Sequence, residues 1–387
     1  MNEQKSFPAA DAKKLPLQER ANRIHINKGV AVSFCAVLFL LLTFSLNLGS
    51  ASAQSTLPLG AVSGITQLPS CPSGYLAGAS CFAATVSCPN TLDLQVTYGL
   101  VNPGGVPRGF IALFGGAGGT QPYGGAIPGR SYSQTYLQAG YQVVQSAWET
   151  DWEDTGITGG KNVKTAACRP ATLLNFFHQT LYQGDGGMCA QGASAGSAAV
   201  AYSLSWYGSS NYLDKVELLS GPVLSDIDEG CMVPNAPPVT VCSAGQFGCV
   251  GEPFVDKPQY VLGAQIGVGR WTGHACQPGS RTQAATNASW KAMSIVDGIS
   301  GPSFSYPQTA MAGWLCSNGV NNSAAEGQLF YQQFTTGAQT ADYSLTRVDN
   351  CAGAEGVDMG TTALGQNGFV AISSNMTDSV GGCIKRH

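Results

Sequence analysis

The sequence predicts an α/β protein built on a mostly parallel central sheet with helices on both faces. Three observations carry that prediction. From about residue 82 short apolar runs alternate with amphipathic stretches of helical period. One of the runs, Gly109 to Phe114, is continuously apolar, as a strand covered on both faces requires. The small-residue turn Gly192-Ala193-Ser194-Ala195-Gly196 falls between a short strand pattern and a helix pattern.

The amino-terminal 53 residues stand apart from this pattern. Lys13, Lys14, Arg20, Arg23 and Lys28 precede an uncharged apolar run from Gly29 to Leu48, and Ala51-Ser52-Ala53 follows. A basic region, an apolar region and a small-x-small site in that order predict a secretory signal peptide over 1–53, with 54–387 as the mature domain. The apolar run is also about long enough to span a bilayer, so an uncleaved anchor is the alternative. Beyond residue 53 the chain carries 13 basic and 20 acidic side chains, a mildly acidic balance that gives no reason to expect nucleic acid or, after signal cleavage, a membrane as partner.

Twelve cysteines remain after Cys35 is set aside with the signal. An even number in an exported chain predicts disulfides and a secreted or periplasmic, oxidising location. Cys71 with Cys81, and Cys242 with Cys249, are spaced for local loops. With no C-x-x-C, neither a metal nor a cofactor is expected.

In chain order the predicted strands are Phe82 to Val86, Leu94 to Val101, Gly109 to Phe114, Tyr141 to Trp148, Met188 to Gly192, Lys215 to Leu219, Gln308 to Leu315 and Tyr343 to Val348. The predicted helices are Ser131 to Gly140, Ala171 to Gln183 with Pro170 in the first turn, Ser197 to Tyr207, Ala324 to Phe334 and Gly368 to Ser379. The stretch 225–305 is irregular and rich in Pro, Gly and Cys, and reads as a cap or lid inserted over the sheet.

A serine activated for attack must stand exposed at the end of a strand, on a turn so sharp that its neighbours have to be small. Ser194 meets that condition. The helix after it opens with small residues, Ser197, Ala198, Ala199 and Ala201. An earlier strand ends in Gly115-Gly116-Ala117-Gly118-Gly119, a loop able to turn backbone N–H groups toward a site. Gly116 or Ala117 would supply one oxyanion donor and the Ala195 N–H the other. The plainer reading of these glycines is that they make tight turns.

On these two motifs the chain resembles the α/β-hydrolase superfamily, and more loosely its secreted esterases and polyester depolymerases, over roughly Phe82 to Ser379. The resemblance implies an eight-stranded sheet, a triad in the chain order serine, acid, histidine, and hydrolysis of an ester or amide through an acyl-enzyme. It also implies a histidine after the last strand and an acid after the one before. Here those loops read Asp349-Asn350-Cys351-Ala352-Gly353-Ala354-Glu355-Gly356, with Glu355 in place of a histidine, and Cys316-Ser317-Asn318-Gly319-Val320-Asn321, with no carboxylate.

Two arrangements restore a triad. In one, Asp226 or Asp228, after the strand ending near Leu219, serves with His274 from the insertion. In the other, His387 folds back, held by a disulfide at Cys383. The expectation carried forward is a secreted serine esterase acting through Ser194, Asp226 and His274 on a small-molecule or polymeric ester. Its alternative is a binding or structural protein that keeps the fold without the chemistry.

Overall fold

A computed structural model of the chain describes residues 56–123, 131–154, 163–225, 292–296, 304–316, 342–351, 356–362 and 364–387, together with Gly327, Phe330, Tyr331, Gln333 and Phe334. The proposed signal peptide and most of the proposed cap lie outside them.

Ten strands form one sheet: β1 (Ala61–Gln67), β2 (Ser80–Ser87), β3 (Leu94–Val101), β4 (Gly109–Phe114), β5 (Gln142–Trp148), β6 (Gly187–Ala193), β7 (Lys215–Leu219), β8 (Ala310–Cys316), β9 (Asp342–Asp349) and β10 (Thr361–Thr362). Their spatial order is β1-β2-β3-β5-β4-β6-β7-β8-β9-β10. The flank from β1 to β3 is antiparallel, and β5, β4, β6, β7, β8 and β9 run parallel. The eight expected strands are therefore β2 to β9. The sequence reading missed β1 and β10. β1 is exposed along almost its whole length and interrupted by Gly64 at φ +62°, so it shows no apolar alternation.

Helices cover both faces. α1 (Tyr132–Gln138) and α4 (Gly368–Thr377) pack on one side, where Tyr132 stacks on Phe369 at 4.6 Å between ring centroids. α2 (Cys168–Phe176) and α3 (Ala195–Tyr207) pack on the other. α2 starts three residues earlier than predicted and continues as a π-helical turn over Phe177–Leu181. All thirteen residues of α3 are buried. That burial explains why its sequence is apolar all round instead of amphipathic.

Among the described residues four disulfides pair Cys71 with Cys81, Cys88 with Cys168, Cys189 with Cys383 and Cys316 with Cys351. The first is the local loop read from spacing, and Cys242 and Cys249 lie outside the described residues. Four such pairs suit an oxidising compartment. Among the described residues no helix is long and apolar enough to cross a membrane.

Candidate active site

Strands β4 to β9 all end at the same edge of the sheet, and Ser194 follows directly on β6 there. Its backbone sits at φ +52°, ψ −118°, outside the regions a serine ordinarily occupies. Such a residue costs of order 1–3 kcal/mol and persists only where its surroundings fix it. Here they do. The Ser194 N–H donates to the Leu219 carbonyl at the end of β7 (2.9 Å), and the Ser194 carbonyl accepts from the N–H of Ser197 (2.9 Å) and Ala198 (3.2 Å) in the first turn of α3.

Both glycines of the pentapeptide are required by contact. A Cβ on Gly192 would come within 2.2 Å of the Gly196 carbonyl oxygen, and one on Gly196 within 2.2 Å of the Phe114 carbonyl oxygen. Helix α3 therefore starts in direct backbone contact with β6 and with the end of β4. The fold is the α/β-hydrolase fold.

No protein-family model matches the sequence, and no curated protein does. Solved structures do. An acetyl xylan esterase from Paenibacillus sp. R4 is 11% identical, with 75% of this chain and 82% of that one covered at a TM-score of 0.43. A thermostable carboxyl esterase from Bacillus coagulans is 11% identical, with 79% and 99% covered at 0.42. A dienelactone hydrolase from Anabaena variabilis is 11% identical, with 79% and 99% covered at 0.40. Likeness at this level concerns the course of the chain and says nothing of substrate.

The glycine-rich loop after β4 lies against the serine. The position a Cβ would take on Gly116 is 3.2 Å from the Ser194 Cβ and 3.8 Å from its Oγ. Ala117, Gly118 and Gly119 all have positive φ, at +48°, +72° and +72°. This succession turns the loop back on itself, and the Gly119 N–H closes it on the Gly116 carbonyl (2.9 Å). The Ala195 N–H, first in α3, has no partner within its own helix. Of the three expected oxyanion residues, Gly116 lies against Ser194, Ala195 follows it at the start of α3, and Ala117 follows Gly116 in the loop.

What holds this loop was not read from sequence. The stretch after β5 packs directly on it: the Trp152 N–H donates to the Gly118 carbonyl (3.1 Å), and a Cβ on Gly118 would meet the Asp151 carboxylate within 2.1 Å. The buried Arg169 of α2 fixes that stretch in turn, donating to the carbonyls of Trp152 (3.0 Å), Asp154 and Leu92. From the β5 side, Gln145 is buried and bridges two loops. Its Nε2 donates to the Tyr123 carbonyl (3.2 Å) and its Oε1 accepts from the Leu76 N–H (2.8 Å). The signal was present as Glu149-Thr150-Asp151-Trp152, a charged and aromatic tail on a strand that ends at the same edge.

Beneath the elbow two strands share a buried polar pair. Gln191 Nε2 donates to Glu217 Oε2 (3.1 Å), and Glu217 Oε1 has no partner among the described residues. Burial pushes the Glu217 carboxyl up to about 8, against the opposing pull of Lys215 and Gln191. Glu153, next to Trp152 on the stretch that packs on the glycine-rich loop, is also pushed up to about 8, by burial first and by Asp151 second.

Of the expected partners of Ser194, Asp226, Asp228, His274 and Glu355 lie outside the described residues. His387 is described, and its place is a correction. The disulfide of Cys383 does hold the carboxyl-terminal segment, but it holds it to Cys189 at the beginning of β6. Asp214, just before β7, accepts from the N–H of Arg386 and of His387, and its Oδ1 lies 4.0 Å from His387 Nε2. Ser194 is bonded to Leu219, five residues further along that strand and roughly 17 Å away at 3.3 Å per residue. His387 is therefore at the opposite edge of the sheet. His178 is at that edge too, stacked on Tyr212 at 4.6 Å, and burial first and the neighbouring His387 second hold its imidazole below the usual value, against the pull of Asp214. The loops after β8 and β9 start from cysteines joined to each other, Cys316 and Cys351. Among the described residues no group of three or more His, Cys, Asp or Glu side chains is arranged to hold a metal.

Proposed function

We propose that this chain is a secreted serine hydrolase that cleaves a carboxylic ester through an acyl-enzyme on Ser194. The observation that carries the reading is the strained Ser194 at the end of β6, followed by the first N–H of α3 and approached by Gly116 of the glycine-rich loop. A protein has no structural use for a serine at φ +52° where glycine would sit without strain, whereas a nucleophile needs its side chain there.

In this reading Ser194 Oγ attacks the acyl carbonyl as His274 takes its proton. The N–H groups of Ala195 and of Gly116 or Ala117 receive the oxyanion, and His274 returns the proton to the leaving alcohol. Water then repeats the sequence on the acyl-serine. Asp226 orients the imidazole. It follows Ser225, which is buried at the end of the loop leaving β7, and it keeps the chain order serine, acid, histidine.

The test is labelling of the purified protein by a fluorophosphonate probe. Labelling is expected in the parent and lost in Ser194→Ala. It should slow by about a hundredfold or more in His274→Ala, the size of a lost general base, and stay unchanged in His387→Ala. A parent that does not label, or labelling that survives Ser194→Ala, would leave the chain as a binding protein on a hydrolase fold.

A further inference from the structure

An open cleft of about 950 Å³ lies beside the oxyanion loop, near the upper end of ligand-sized clefts. It occupies the face of the sheet's antiparallel flank, between the loop 72–77 on one side and Thr120 to Pro122 with the start of α1 on the other. Its floor is made by β3 and the end of β5.

Both walls are built. The loop 72–77 is closed off by the disulfide of Cys71 and Cys81. Tyr75 lies across β3, with its hydroxyl donating to the Thr97 carbonyl (2.8 Å) and its ring so close to Gly99 that a Cβ there would meet it at 2.5 Å. Gln145 ties Leu76 of one wall to Tyr123 of the other. Gly74 meets the other wall directly, for a Cβ there would come within 2.9 Å of the Pro122 ring.

The cleft also has a direction. Strands lie about 4.8 Å apart, so β5 is roughly 10 Å and β3 roughly 14 Å from β6, which carries Ser194. The cleft therefore runs away from the nucleophile, starting at the loop that would hold the oxyanion. Among the described residues that line it there is no lysine, arginine or histidine, and the one carboxylate is Glu149. None of these described side chains would pair with an anion. The other polar side chains are neutral hydroxyls and amides, among them Thr97, Thr120 and Gln121, which both donate and accept. An open, neutral, hydroxyl-lined channel suits a chain with many hydroxyls of its own better than an alkyl tail, for which a closed apolar pocket is the better solvent.

Accepting Ser194 as nucleophile, we infer that this cleft is a remote subsite for the alcohol part of the substrate, and that this part is a neutral oligosaccharide. The ester would sit at Ser194, and the sugar chain would run from it over Thr120 and along β3.

The inference is tested by titrating the full-length Ser194→Ala protein with xylohexaose and cellohexaose, with hexagalacturonate as the anionic counterpart and a dodecyl chain as the apolar one. Thr97→Trp, which fills the floor, and Ala77→Trp, on the exposed rim, provide two independent blocks. A neutral hexasaccharide should bind, and each tryptophan should weaken it at least tenfold in protein whose melting temperature shows it folded. Absence of binding by both neutral hexasaccharides, tighter binding of the anion or the alkyl chain, or binding indifferent to both tryptophans overturns the inference. Its failure is distinct from that of the hydrolase reading. Fluorophosphonate labelling without sugar binding removes the subsite alone, and sugar binding without labelling removes the chemistry alone.

Discussion

Glu217 makes stability depend on pH in a direction opposite to that of ordinary surface carboxylates. It is fully buried on β7, with one oxygen accepting from Gln191 and the other without a partner among the described residues. Its carboxyl is raised from 4.5 to about 8. Between those values the folded protein keeps a proton that the unfolded chain has released, so folding stability falls as pH rises. From pH 5 to pH 7 the loss is on the order of 2 kcal/mol, since each unit of pH costs up to about 1.4 kcal/mol once the unfolded carboxylate is fully ionised. Glu217→Gln preserves the shape and the acceptor for Gln191 but has no proton to lose. Urea unfolding of both proteins at pH 5, 6 and 7, disulfides intact, should show the wild type losing on the order of 2 kcal/mol more than the variant across that range. Glu153, displaced in the same direction, is present in both and cancels. Parallel stability curves, or a variant that loses more than the wild type, would refute the argument.

Two further outcomes follow from the geometry. Gly118→Ala places a methyl group at φ +72° against the Asp151 carboxylate. The backbone conformation costs roughly 1–2 kcal/mol. The loop must shift while the core does not, so fluorophosphonate labelling should slow by about tenfold to a hundredfold with only a few degrees of change in a thermal melt. Replacing Cys189 and Cys383 by serine opens a loop of 194 residues. The loss should be up to about 5 kcal/mol by loop entropy, less for whatever the other three disulfides already constrain, measured by denaturant unfolding.

Elements set by local pattern were legible in the sequence to within a residue or two. β3, β4 and β7 have the predicted bounds, because a run such as Gly109 to Phe114 is apolar for the same reason that it is buried on both faces. The elbow was legible because steric exclusion leaves a residue-level trace: Gly192 and Gly196 are glycines where a Cβ meets a carbonyl oxygen. The support of the glycine-rich loop was not legible. Gln145, Asp151 and Arg169 act across 15 to 77 residues of chain, and a buried amide or guanidinium carries no sign in sequence of which carbonyl it will meet. His387 shows the same limit from the other side. The disulfide at Cys383 was a sound expectation, but its partner decides which edge of the sheet receives the histidine, and spacing does not give the partner.

The two ends of the described body leave from one place. Leu57 donates its N–H to the carbonyl of Trp206 at the far end of α3 (2.8 Å), and Arg386 and His387 are held by Asp214 before β7. Both sites are at the edge of the sheet remote from Ser194. A protein linked to a bead, a scaffold or a fusion partner through either end would therefore present the Ser194 edge of the sheet outward, toward whatever large or insoluble material it is offered.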